Sequence, residues 1–527
     1  MKTIYHSFIF ALLSASMLLA GCTDLDENTY TFINPDEYYN NQNEMEKSLT
    51  AVYASFRSFA ANYKTLVILE LTTDNAVPCH SSKDGVKTFN CWQGVNQATT
   101  YNIQIWDAGY SLINRCNVVL GRGNTDNIPA TELNKIYGQA RFVRAYTMFM
   151  LLRLYGGLAI PESYTSGLEG LEIPRKSVDE TYDYIIDDLK YCIDNLPTRS
   201  GWGSGDYYRT SKGAAQALLG DVYLTRGCME NNNTTYFQEA KKYLGDVINS
   251  GEYELLADYK DLWYWFTEEA SKNTKESLLE AQFGTTAPNS MHYYFGIMTK
   301  EPVLGASMAH RSGISPKIFQ SYQEGDARKE CFLTEYVTAQ GVRRFFEPEN
   351  KGFSGKGEGK WPSAAPGNMK FYDRTESSYA TGNAKNNFII MRYSDVLLNY
   401  AEVENYLNGP TADAYAKLNA VHQRSLPTAV TSGLSKQEFD DAVYQERTWE
   451  LIGEGYLYFD ELRTDRLGKN VYETKTYLFE NGYYNCQKLQ FVPQKTFLWK
   501  IPQTSLDSNP ALEQNPDNVS DPRYPIN

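Results

Sequence analysis

Histidine is scarce in this sequence, with five among 527 residues. No His-Glu-x-x-His pair occurs, so the common zinc-protease arrangement is excluded. There is no Gly-x-Ser-x-Gly elbow to expose a nucleophilic serine. The glycine clusters at 201–205 and 352–359 lack the Lys-[Ser/Thr] ending of a phosphate-cradling loop and read as flexible loops. No Cys-x-x-Cys is present, which removes zinc ribbons and thioredoxin-type redox sites. Basic residues are outnumbered, 50 against 64 acids, and the net charge of −14 repels nucleic-acid phosphates. Mean hydropathy of −0.50 excludes a multi-span membrane protein. No EF-hand loop is found, and bound calcium is left open. With 64 carboxylates, adjacent acids such as Asp187-Asp188 and Asp440-Asp441 are most simply solvated helix faces. A glycosidase pair needs only to meet in space, and no local motif marks one.

Apolar and aromatic residues are abundant. Hydrophobic residues make up 42%, enough to bury a large core, which rules out disorder. Tyrosine dominates the aromatics, with 41 Tyr against 24 Phe and 8 Trp.

Residues 1–21 form an address segment. Lys2 supplies a positive start, and an apolar run extends from Phe8 to Ala20. That run is shorter than the roughly 20 residues of a membrane span and fits a secretory signal. It ends Leu19-Ala20-Gly21-Cys22, a bacterial lipobox pattern. Cys22 is therefore the expected acceptor of diacylglycerol and acyl chains, palmitate included, which together give stable anchoring. Residues 23–27, Thr-Asp-Leu-Asp-Glu, read either as a tether linked to surface export or as a plain linker. Seven cysteines remain after Cys22, an odd number, and Cys79 with Cys91 bracket a polar loop that a disulfide would close.

The rest of the chain reads as paired helices. Residues 135–155 carry an apolar face with Arg141, Arg144 and Arg153, and stop at Gly156-Gly157. Ser177 and Glu180 have capping-box spacing before a helix over 177–195. In 211–226, Gly220 and Tyr223 have the small-residue and aromatic spacing of a tetratricopeptide helix. Its companion over 239–249 supplies Ala240 and Leu244. A second pair covers 391–407 and 412–424, and a helix over 436–453 is expected to continue through 454–463. The fold class is mainly α, a tetratricopeptide-like scaffold with an irregular, loop-rich subdomain. Its divisions are the signal at 1–21, an N-terminal scaffold over 22–283 with a polar loop at 72–104, an insert at 284–388, and a C-terminal scaffold over 389–527.

Five segments in order carry a family pattern. They are ARFVRAYTMFMLLRLYGGLAIP at 140–161, TSKGAAQALLGDVYLTRG at 210–227, IMRYSDVLLNYAEVEN at 390–405, ERTWELIGEGYLYFDELRT at 446–464 and LWKIPQTSLDSNPALEQNP at 498–516. The chain resembles the SusD/RagB family of outer-membrane nutrient-binding lipoproteins, departing at Leu506, where the family has an acid. The resemblance implies a lipid-anchored protein on the outer membrane, facing the cell exterior. It implies a partner, a SusC-like TonB-dependent transporter, and an oligosaccharide ligand held without catalysis or a cofactor. The alternatives are a surface glycan-degrading enzyme on a helical scaffold and a protein-protein adaptor.

Sugar binding needs aromatic faces for the C–H side of a pyranose and polar groups around its edge. The resemblance places the ligand on loops, including the one over 72–104. There Trp92 is a candidate stacking surface, with Gln93, Asn96 and Gln97 following, and Asp74, Asn75 and His80 are edge candidates. The insert adds Tyr293, Tyr294 and Trp361, which fit either a stacking arc or a small subdomain core. Trp106 reads as core, and the Trp-Tyr-Trp-Phe run at 263–266 as helix packing.

Overall fold

The computed structural model describes residues 38–78, 86–92, 96, 98–123, 126–165, 167, 170–289, 291, 312–337, 343–346, 359–360, 365–373, 384–483 and 488–526. It is mainly helical. The N-terminal scaffold comprises α1 (Gln42–Ala60), α2 (Tyr63–Leu71), α3 (Thr100–Arg122), α4 (Ala130–Tyr155), α5 (Val178–Asn195), α6 (Lys212–Met229) and α7 (Thr234–Asn249). The C-terminal scaffold comprises α8 (Tyr393–Asn408), α9 (Ala412–Ser425), α10 (Lys436–Leu451), α11 (Leu457–Arg463), α12 (Leu467–Glu480) and the short α13 (Gln503–Ser508). Among the described residues no helix is long and apolar enough to cross a membrane.

Successive helices pack as pairs, and the expected local signals hold them. Ser177 and Glu180 form the reciprocal capping box of α5. Gly156 ends α4 at φ 77°, where glycine meets no steric cost. On α6, a Cβ at Gly220 would lie 2.6 Å from Leu244, so only glycine lets α7 approach this closely. Tyr223 stacks on Tyr243 beside that contact, with ring centroids 5.9 Å apart. Leu244 is completely buried, which is worth about 1.5–3 kcal/mol. Arg141 and Arg144 of α4 both grip the buried Asp188 of α5 at 2.8 Å.

The expected continuous helix over 436–463 is corrected. It stops at Leu451 and restarts at Leu457. Gly453 and Gly455 between them have φ of +83° and +87°, and a Cβ at Gly453 would lie 2.1 Å from the Asn368 side chain. The chain turns there to let the insert approach.

The described parts of the insert pack directly on the C-terminal scaffold. Ile314, Ile318, Tyr322 and Phe332 share a cluster with Trp449, Ile452 and Leu457. Behind it lies a buried ionic network. Arg328 bonds Asp326 at 2.8 Å and Glu446 at 2.5 Å, Lys370 bonds Glu454 at 2.8 Å, and Arg392 and Arg424 both bond Glu450. Burial works to raise the Glu450 pKa, yet Arg424, Arg392 and Arg328 hold it well below the usual carboxylate range. Two small sheets complete the join. β1 (Ala76–Pro78) pairs antiparallel with β3 (Ser312–Ile314), and β2 (Ser277–Ala281) with β4 (Phe388–Arg392). Trp263 and Tyr264 are buried, in keeping with packing.

Candidate ligand-binding site

The early polar loop starts from a rigid post. At the end of α2, Thr72 Oγ donates to the Ile68 carbonyl at 2.9 Å and Thr73 Oγ to the Glu70 carbonyl at 2.7 Å. Thr73 Oγ then accepts from the Asn75 backbone N–H at 3.1 Å, so side-chain hydroxyls replace the lost helical bonds. Asn75 Nδ2 donates to Glu461 of α11 at 2.8 Å. Asp74 accepts from the Thr474 hydroxyl of α12 at 3.2 Å. Lys475 donates to the Ala76 carbonyl and to Asn90, both at 2.6 Å, while Lys317 of the insert reaches Thr474 at 2.9 Å. Burial pushes the Asp74 carboxyl up, opposed by Lys317 and Lys475. Glu461 is raised well above its ordinary value by burial and then by the charge of Asp74.

These contacts correct two of the expected site residues. Asp74 is 4% exposed and faces the interior, where it ties the loop to α12. Trp92 is 5% exposed, and its indole N–H donates to the Thr72 carbonyl at 3.1 Å. Phe497 meets it edge-on at 5.1 Å and Phe491 lies at 6.3 Å, so its faces belong to the core. Trp92 is a loop anchor and not a stacking surface. Asn96 is exposed, but its side-chain oxygen accepts the Ala98 N–H at 3.0 Å and shapes the entry to α3. Cys22, His80, Tyr293, Tyr294 and Trp361 lie outside the described residues, as does Cys79 of the expected Cys79–Cys91 pair.

The described residues that flank two of those candidates meet at one corner. Pro78 pairs with Ser312 across the β1–β3 ladder. Beside it Val77, Ala365, Leu478 and Tyr483 form a common apolar cluster. The early loop, the insert and the end of α12 thus converge there. On α12, Leu478 points inward, and Tyr477 and Phe479 on either side are 49% and 42% exposed. The Tyr477 ring lies 6.1 Å from that of Tyr483, tilted by 43°. Asn481 donates to the Tyr477 carbonyl at 2.9 Å, which fixes the helix end beneath the ring. Tyr477 is an exposed, supported aromatic face, carried on a helix end and not on the loops where the sequence pattern suggests one. Its signal was present: Val471, Thr474 and Leu478 define the inward face of α12, and Tyr477 falls off it.

Comparison with known proteins follows from this architecture. A family profile described as "SusD family" matches residues 317–517, and one described as "Starch-binding associating with outer membrane" matches residues 25–224. The chain belongs to the SusD/RagB family. It is 25% identical over 500 residues to SusD-like protein P2 of Formosa agariphila, covering 90% of this chain and 92% of the relative. A SusD homolog from Bacteroides thetaiotaomicron superposes with a TM-score of 0.76 at 24% identity, covering 92% of this chain and 98% of the other. A structure titled laminarin binding SusD-like protein gives 0.68 at 24% identity, covering 91% and 100%. The tetratricopeptide-like helical fold of this superfamily is the fold seen here.

Proposed function

We propose that this SusD/RagB protein captures an oligosaccharide at the cell surface and hands it to a SusC-like TonB-dependent transporter, without turning it over. The observation that carries the proposal is the corner at Tyr477. A rigid helical scaffold holds an exposed ring where the early loop and the insert meet. A fixed aromatic with surrounding loops suits a stacked sugar, because little rotamer freedom is lost on binding. One structural neighbour is a laminarin-binding SusD-like protein, which supports a saccharide as ligand class. The outer-membrane description of the matching profile supports the location, with Cys22 as the lipid anchor.

The partner is tested by mild detergent extraction of outer membranes that carry the tagged full chain. Co-purification of a large barrel protein in fixed ratio is expected. Recovery of the full chain alone, or with soluble proteins only, would count against the transporter. Cys22→Ala is expected to deplete the protein from the outer membrane, and unchanged recovery there would refute the anchor.

A further inference from the structure

Away from that corner, α3, residues 159–165 with Leu171 and Ile173, and α13 line a cleft of about 460 Å³. Clefts of roughly 300–1,000 Å³ suit small-molecule ligands. The inner wall is aromatic, with the Trp106 and Tyr110 rings 4.7 Å apart and tilted by 40°. The rim carries the Asp107 carboxylate and the hydroxyls of Thr165, Thr504 and Ser505.

Two features set this cleft apart from a packing defect. The indole N–H groups of Trp92, Trp202, Trp449 and Trp499 each donate within the fold. Trp106 is 4% exposed and lines the cleft, and its N–H, like the buried one of Trp263 elsewhere in the fold, bonds to no acceptor among the described residues. A donor in such a place calls for an acceptor from a ligand or water. The Tyr110 hydroxyl accepts the Ala159 N–H at 3.1 Å, which leaves its own proton free to donate. The second feature is charge. Asp107 is exposed and no Lys or Arg is among the described lining residues, while Arg175, whose charge reaches the Tyr110 hydroxyl, is held by the Tyr155, Gly157 and Glu513 carbonyls, so the cleft itself offers donors and one carboxylate acceptor.

We propose that this cleft is a second saccharide site, taking one neutral hexopyranose unit. The ring lies against Tyr110, one ring oxygen accepts from the Trp106 N–H, and sugar hydroxyls donate to Asp107. A uronate or a sulfated sugar is excluded by the unbalanced carboxylate. The cleft shares no lining residue with the Tyr477 corner. The proposal rests on the glycan reading above for its ligand class, and not on that corner.

Saturation-transfer NMR on the detergent-solubilised full chain tests it. The probes are methyl β-glucopyranoside, methyl β-galactopyranoside, methyl α-mannopyranoside and sodium glucuronate. At least one neutral glycoside is expected to bind, and glucuronate is expected not to. Asp107→Ala should weaken that binding about tenfold, the loss expected for a hydrogen bond to a charged group. Trp106→Phe should weaken it severalfold, and Tyr477→Ala should leave it unchanged. Equal binding of glucuronate overturns the proposal, and so does silence from all three glycosides. Binding that both cleft substitutions leave intact but Tyr477→Ala removes overturns it while the glycan reading stands.

Discussion

The Asn75 side-chain amide donates to the Glu461 carboxyl across 2.8 Å, joining residues 386 positions apart. That bond secures the start of the early loop to α11, and with the Asp74–Thr474 bond it makes the loop's root part of the C-terminal scaffold. Asn75 is completely buried, so water cannot replace it. Asn75→Ala is expected to destabilise the fold by about 1–3 kcal/mol, the cost of stranding a buried polar partner. Urea unfolding reads the loss directly, and an unchanged midpoint would show that the bond carries no net stability.

Trp92→Ala should behave as a core deletion. The indole fills space against Phe491 and Phe497 and loses its bond to Thr72, so a cost of about 3–5 kcal/mol is expected. A ligand-facing tryptophan would instead leave stability nearly intact and weaken binding. Thermal unfolding of the variant decides between the two roles.

Glu70 gives the fold a specific pH dependence. Burial pushes its carboxyl up to about 7, opposed by the Gly455 N–H, which it accepts at 3.2 Å. An unfolded glutamate titrates near pH 4.3, on the order of the reference value. The folded state therefore holds a proton that the unfolded chain releases. This contribution is fully present below about pH 4.3 and fades as pH rises through about 7. Glu70→Gln removes the titration but keeps an acceptor for Gly455. Between about pH 4.5 and 7.5, wild type should lose of order 3 kcal/mol relative to the variant in urea unfolding. A stability difference independent of pH would show that Glu70 does not titrate in this window.

What was legible in the sequence was local. The capping box at Ser177, the stop at Gly156 and the Gly220 approach each depend on residues within a few positions or on one neighbouring helix, and each is present. The break between α10 and α11 is not legible locally, because glycines at 453 and 455 are tolerable inside a helix and the Asn368 side chain that crowds Gly453 is distant in sequence. Trp92 reads as a surface residue for a related reason. Its sequence neighbours are polar, while the rings that bury it come from residues 491 and 497. Tyr477 does not stand out in the sequence, because a tyrosine inside a helix usually packs against a neighbouring helix. That holds for Tyr155 and Tyr223, both buried, but not for a ring on the outer side of α12.

The most direct test of saccharide capture is isothermal titration of the full chain with laminarin, starch and fructan oligosaccharides, comparing wild type with Tyr477→Ala. Saturable binding of at least one glycan is predicted, without release of new reducing ends. Tyr477→Ala should weaken it about three- to tenfold, the worth of one stacked ring, with unchanged thermal stability. Absence of binding to every glycan, or turnover abolished by a single carboxylate substitution, would contradict the account.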